Sequence, residues 1–290
     1  MRRSGFASCR RGAGMTPSQP ISIAERPYAD AFKGTAKYYA KYRPGYPPSL
    51  IKCLADKFNF DGAGRYLDLA CGTGKLTFPL ARYFDEVLAI DPEQEMLDEA
   101  ARLARKQKIH NVHFLCASSY DLPELKSILG RLRFVTIGTA FHWMDRAETL
   151  RLLHELIEPD GGMAIITMRE YHGQNSLWHE VLQPLIQEWL GKKQRAGSAV
   201  YEHSGISHKD IIKASPFSRH EQQFYMMVRE YTADQVVGYL ASTSFCSPYV
   251  LGDKWNSFEQ ELRNVLSSLN NGSKGRFPIV KVVEAILMWP

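Results

Sequence analysis

The sequence predicts an α/β fold: a doubly wound, mostly parallel sheet of seven strands, with a helical cap built from late insertions. Three observations carry this. Five strand-like apolar runs alternate with helix-like segments between Arg65 and Met168. The first run, "YLDLA", breaks into the glycine-rich turn "CGTG". After Met168 the alternation gives way to long helical stretches and two further strand-like runs.

The strands are predicted at Arg65–Ala70, Glu86–Ile90, Val112–Cys116, Arg133–Gly138 and Gly162–Met168. Helices between them fall at Lys75–Tyr83, Pro92–Lys106, Leu122–Leu129 and Asp145–Ile157. Pro92 suits a first helical position behind Asp91, and Asp145 suits an N-cap. Ahead of the sheet, two short helices are separated by Pro44, Pro47 and Pro48. Behind it come helices at Leu177–Leu190, Thr232–Ala241 and Phe258–Leu269, with strands at Glu221–Arg229 and Phe277–Trp289. Residues 28–290 are thus expected to form one domain, its core over about 60–169 and its cap and last strands over about 170–290. Residues 1–27 are expected to be a disordered or targeting tail.

Composition narrows the function. The net charge of +5 is concentrated in Arg2, Arg3, Arg10 and Arg11; setting these four aside, 36 basic residues fall to 32 against 31 acidic ones. A nucleic-acid groove requires a basic body rather than a basic tail, so no nucleic-acid partner is expected. No apolar run approaches the roughly 18 residues of a membrane span. Five scattered cysteines without a CxxC pair fit neither a disulfide framework nor a zinc site. His172, His179 and His203 lack metal-ligand spacing, and no metal is expected. The acid-free segment "MRRSGFASCRRGAGM" has the composition of a transit peptide. A disordered tail, or a start at Met15, is the favoured alternative. The expected location is the cytoplasm, with organelle import left open.

Ligands of such sheets bind beyond the carboxyl ends of the strands. There Ala70, Gly72 and Gly74 form a tight turn, and Asp91 ends the second strand about 20 residues further on, placed to grip ribose hydroxyls. Dinucleotide folds share that pair. Asp68 separates the possibilities, because a carboxylate near the turn repels a pyrophosphate and favours a ligand bearing a sulfonium and an ammonium. Thr77 also stands where a dinucleotide fold takes a third glycine. The alternative for Asp68 is a carboxylate that caps the turn backbone.

The ordered motifs "YRPGYP", "LDLACGTGKLT", "AIDPEQEML", "CASSYDLP", "TAFHWMD" and "IEPDGG" resemble the class I S-adenosylmethionine-dependent methyltransferases. They are most similar to the type 11 small-molecule branch that includes trans-aconitate methyltransferases. The resemblance covers roughly 32–169 and implies a Rossmann-like methyltransferase fold with S-adenosyl-L-methionine as cofactor. It implies that Asp68, Ala70, Gly72 and Thr73 line the methionine end, with Gly74 in the turn, and that Asp91 binds the ribose. Pro92 and Met96 would pack on the adenine, and Ser118 and Ser119 would meet its edge. Relatives often carry an acid where Ser118 stands and a glycine where Ala70 stands, so both positions depart from the pattern. Tyr38, Tyr42 and Arg43 would close over the cofactor from the N-terminal helix, or serve as aromatic packing with a surface arginine.

Methyl transfer is an in-line displacement that rests on positioning, and a base is required only where the acceptor must lose a proton. His142, in "TAFHWMD" after the fourth strand, is the candidate base, or else a pocket-lining histidine; Trp143 is read as a pocket wall. That segment lacks the Asn/Asp-Pro-Pro-aromatic run of enzymes that methylate base amines. The expected partner is a small-molecule acceptor, methylated at a carboxylate or hydroxyl oxygen by a monomer or homodimer. Arg169, Arg195 and Arg219 are candidate anchors for an acidic acceptor. A nicotinamide oxidoreductase and a catalytically idle binding protein are the alternatives.

Overall fold

Branched and aromatic side chains alternate along the central strands, so each strand sends residues to both faces of a sheet that must be covered twice. In the computed structural model, which describes residues 28–171, 176–202, 204–269 and 275–290, that sheet has seven strands. They are β1 (Arg65–Leu69), β2 (Glu86–Asp91), β3 (Val112–Cys116), β4 (Leu132–Gly138), β5 (Ile157–Glu170), β6 (Arg219–Tyr231) and β7 (Phe277–Trp289). Their order is β3-β2-β1-β4-β5-β7-β6. β1 to β5 run parallel, whereas β7 is antiparallel to both β5 and β6. A separate two-stranded ribbon pairs Arg195–Ala196 with Ala199–Val200. The N-terminal tail expected over 1–27 lies outside the described residues, as do His172 and His203.

The helices are α1 (Ala36–Tyr42), α2 (Pro48–Lys57), α3 (Thr77–Ala81), α4 (Gln94–Gln107), α5 (Leu122–Leu129), α6 (Arg146–Leu156), α7 (Gln183–Leu190), α8 (His208–Lys213), α9 (Ala233–Ala241), α10 (Pro248–Leu251) and α11 (Trp255–Ser268). Leu67 and Leu69 point into a core shared with Leu122 and Leu129 of α5 and Leu150 and Leu153 of α6. Tyr66 points the other way, into a core with Leu50 and Leu54 of α2 and Leu80 of α3. A third cluster joins α7, α9 and α11 through Leu185, Val236, Leu240, Phe258 and Leu262. It reaches the sheet at Tyr231 and Phe277, beyond the level where Glu170 ends β5 opposite Lys281. The late helices therefore gather at the carboxyl ends of the parallel strands.

Asp145 caps α6 as expected, accepting from the Glu148 N–H. The proline signal for α4 fails: the helix opens at Gln94, two residues after Pro92. Asp91 does not cap it, because its carboxylate is engaged by the Gly72 and Glu93 N–H groups. The helix expected over Leu177–Leu190 begins as a π turn at Trp178–Leu182 before α7. Among the described residues no helix is long and apolar enough to cross a membrane.

Gly162 tests how tightly the layers close. A Cβ there would lie 2.1 Å from Phe58 Cε1 and 2.7 Å from the Met288 carbonyl oxygen. The carbonyl belongs to the sheet and cannot move aside, so Gly162→Ala is expected to lose about 2–3 kcal/mol, read from the urea midpoint.

Candidate functional site

β1 delivers Asp68 to a place without water. The residue is 1 % exposed; its Oδ2 accepts from the Thr77 hydroxyl at 2.6 Å and its Oδ1 from the Thr136 hydroxyl at 2.8 Å. Thr136 has one proton to donate, so Tyr66, bonded to the same hydroxyl, donates to it. Burial pushes the Asp68 carboxyl up to about 6, against the lowering effect of the two threonine bonds. Asp68 thus fastens β1 to β4 and to the start of α3, and it is not among the residues that line the adjoining cleft. The expectation placed this carboxylate at the methionine end; in the structure its two oxygens are taken up by the threonine hydroxyls beneath the turn.

Beyond Asp68 the chain turns sharply. Ala70 takes a left-handed φ of 61° and Gly72 one of 53°. Ala70, Gly72, Asp91, Pro92, Met96, Ser118 and Ser119 all line one cleft above the carboxyl ends of β1, β2 and β4. Asp91 is 8 % exposed; its Oδ2 accepts from the Gly72 N–H at 2.8 Å and its Oδ1 from the Glu93 N–H at 3.0 Å. Burial pushes its carboxyl up to about 6 as well. Ser118 begins a 3₁₀ turn, accepting from the Tyr120 N–H at 3.2 Å, while the Asp121 carboxylate accepts from the Ser118 N–H at 2.8 Å.

Thr73 and Gly74 lie behind this wall. Thr73 is 1 % exposed, and its hydroxyl oxygen is buried with no hydrogen-bond partner among the described residues. Gly74, at φ 86°, carries the Phe78 ring against its backbone, so that a Cβ would sit 2.4 Å from that ring.

The N-terminal helix is divided differently from the expectation. Tyr39 lines the cleft and lies over Gly72. Tyr38 and Tyr42 stack on each other and turn toward α9, where Tyr42 covers Gly238. Arg43 shares the face of Tyr39 but points to the cap: its Nε donates to Ser242 Oγ at 2.8 Å and its Nη1 to the Tyr239 hydroxyl at 3.2 Å. Tyr38, Tyr42 and Arg43 are therefore outside the cleft wall. Helical spacing separates these pairs, since residues 38 and 42 form one stripe and 39 and 43 the next.

His142 lies in the 3₁₀ turn Phe141–Trp143 after β4, its ring against Trp143 at 4.5 Å and Tyr201 at 5.9 Å. Trp143 lines the cleft, and the His142 ring packs against it. Sequence reasoning missed Tyr28, Phe32, Tyr39 and Thr139, which also line the wall. Thr139 was within reach, because it follows β4 where β4 lies beside β1, the switch point of the sheet. Its φ of 55° is rare for a branched residue, and its hydroxyl bonds Tyr46 at 3.1 Å and accepts from the Met168 N–H at 3.2 Å. Of the three candidate anchor arginines, Arg219 lies opposite Trp289 at the far end of β7 from the cleft, and Arg169 pairs with Glu284. Arg195 is in the two-stranded ribbon. Among the described residues no three His, Cys, Asp or Glu side chains are placed to hold a metal ion.

Two outcomes follow from this geometry. Ala70→Gly relieves a left-handed alanine and is expected to raise stability by about 1 kcal/mol in urea unfolding. Asp91 has a folded pKa of about 6, above the roughly 3.9 of an unfolded aspartate, so the folded form holds the extra proton between those values. Its contribution to stability is full below about pH 4 and is lost as pH rises through 6. Asp91→Asn is therefore expected to gain on the wild type by on the order of 2 kcal/mol between pH 4 and pH 7, measured without ligand.

Residues 67–161 match the family model described as a methyltransferase domain. An uncharacterized methyltransferase of Schizosaccharomyces pombe is 33 % identical over 164 residues, 55 % of this chain and 60 % of that protein. A protein of Saccharomyces cerevisiae, named a probable S-adenosylmethionine-dependent methyltransferase, is 30 % identical over 44 % of this chain and 43 % of its own length. The chain thus spans 60 % and 43 % of these two relatives. An uncharacterized methyltransferase of Mycobacterium bovis is 24 % identical over 90 % of this chain and 97 % of that protein. The fold is similar to a solved structure described as a type II methyltransferase from Anaeromyxobacter dehalogenans, with a TM-score of 0.58 and 21 % identity over 86 % of this chain and 97 % of that one. Over residues 67–161 the chain is thus similar to a methyltransferase domain, its fold is similar to that of the solved structure, and each of these relatives is named a methyltransferase.

Proposed function

We propose that the chain transfers a methyl group from S-adenosylmethionine to a small molecule, at a carboxylate or hydroxyl oxygen, within the small-molecule branch whose motifs it resembles. The charge of the cleft wall carries the cofactor choice. Among the described residues the wall includes the carboxylates Asp91 and Glu93 and no lysine, arginine or histidine. A dinucleotide brings two phosphate charges to such a site and would find no cation in the wall, whereas a ligand with a sulfonium and an ammonium is favoured there.

The residues fit that cofactor. Asp91 uses one lone pair of each oxygen on a backbone N–H, which leaves a second on each for ribose hydroxyls. Pro92 and Met96 offer an apolar wall to an adenine, and Ser118 and Ser119 offer backbone and hydroxyl groups at its edge. Ala70 and Gly72 leave room beside the turn for a methionine end. When bound, S-adenosylmethionine supplies an electrophilic methyl carbon on a sulfonium. The chain's own contribution is to hold the acceptor oxygen in line and exclude water, for which Tyr28, Phe32, Tyr39 and Trp143 provide the aromatic wall. A carboxylate acceptor is already ionised and requires no base. A hydroxyl acceptor requires one, and His142 is proposed for that role from its place beside Trp143.

Isothermal calorimetry is expected to show S-adenosylhomocysteine binding and no binding of NAD(H); the reverse would sink the assignment. Asp91→Asn is expected to weaken S-adenosylhomocysteine binding by about 10- to 100-fold, the loss of charge-assisted bonds to the ribose. His142→Ala is expected to keep that affinity while slowing turnover of a hydroxyl acceptor, checked with methyl-labelled cofactor; full turnover would remove His142 from the chemistry.

A further inference from the structure

Among the described residues the sheet order leaves β6 as a free edge, since it pairs with β7 on one side only. It is long, thirteen residues, and its sequence "RHEQQFYMMVREY" contains neither lysine nor proline. Lysine, proline and bulges are the devices that usually keep an edge from pairing with another chain. Here the opposite pattern holds: Phe224, Met226 and Val228 are 57 %, 69 % and 65 % exposed. Their spacing of two places all three on one face of the strand. Three large apolar side chains contiguous on an open edge mark a surface that is normally covered.

We propose that a second copy of this chain covers it. The two β6 strands pair antiparallel about a two-fold axis at Tyr225, joining two seven-stranded sheets into one. The charges of the strand select both the occupant and the register. With Tyr225 opposite its own copy, Glu221 meets the partner's Arg229 and His220 meets the partner's Glu230, each twice by symmetry. Phe224 then lies opposite the partner's Met226, a sulfur–aromatic pair, and Val228 opposite the partner's Gln222. Centring the axis at Met226 breaks both charge pairs, and centring it at Phe224 sets Arg219 against the partner's Arg229. Among the described residues Arg229 has no ion-pair partner within its own chain, while Glu221 holds Lys57 at 2.7 Å and also pairs with Arg219. The strand is therefore its own electrostatic complement, as an isologous contact requires.

Sedimentation velocity on the full chain tests this, with circular dichroism to confirm that each variant is folded. The wild type is expected to sediment at twice its 33.0 kDa mass. Met226→Glu places two carboxylates in the apolar centre and is expected to raise the dimer dissociation constant by about 100-fold or more. Glu221→Arg alone and Arg229→Glu alone each set like charges face to face and weaken the dimer. Mixing the two variants restores both pairs and is expected to recover the dimer as a heterodimer. A wild type that stays at 33.0 kDa up to about 100 times the low-micromolar range would overturn the proposal and assign the face to a different partner. A dimer indifferent to Met226→Glu, or a mixture that fails to recover, would overturn it equally.

Discussion

One buried carboxylate ties together the elements that frame the cleft. Asp68 accepts from Thr77 at the start of α3 and from Thr136 in β4, so a single group joins strand, neighbouring strand and following helix. An ionised group in such a place is tolerated only when its oxygens are satisfied. Here the partners that satisfy it are the elements whose relative placement makes the site. Through Thr77 it fixes where the turn ends; through Thr136 it brings Gly138, Thr139 and Ala140 beside the turn. Tyr66 extends the chain of bonds one step further into the core. The same geometry accounts for Thr77 in place of a glycine: a hydroxyl is required at that approach between helix and strand.

Backbone strain collects where this framework meets the cleft. Ala70 and Thr139 both adopt left-handed backbone, at the ends of β1 and β4, which are neighbours in the sheet. Such conformations persist only where the surroundings over-determine them. For Thr139 the surroundings are the Tyr46 hydroxyl, the Met168 N–H and the Ile166 carbonyl, which accepts from the Thr139 N–H at 2.6 Å. Gly138 makes room for this, since a Cβ there would lie 2.8 Å from the Tyr46 hydroxyl. "YRPGYP" thus contributes Tyr46 as a brace for the end of β4.

The sheet was legible because its strands are apolar runs bounded by turns, and the order of motifs placed Asp91, Pro92, Met96 and both serines at one site. Three features escaped for separate reasons. Asp68 was legible as a carboxylate at a strand end but not as a buried one, because threonines 9 and 68 residues away supply its partners. Pro92 suggested a helix start, yet the acid before it serves Gly72 across the turn. Arg43 looked like a closing group, but its partners lie 196 and 199 residues further along the chain, a distance no local pattern encodes.

Residues 28–43 are tied down both to the core and to the cap. The Gly34 N–H donates to Glu95 at 3.0 Å, and the Ala40 carbonyl accepts from Lys75 at 2.8 Å. On the cap side, Asp30 accepts from the Ser198 N–H and the Tyr249 hydroxyl, and the Tyr28 hydroxyl accepts from the Glu202 N–H. Arg43 adds its own bonds to α9. Residues 28–43 are consequently joined to the cap and to the cofactor-side core along one continuous line of hydrogen bonds.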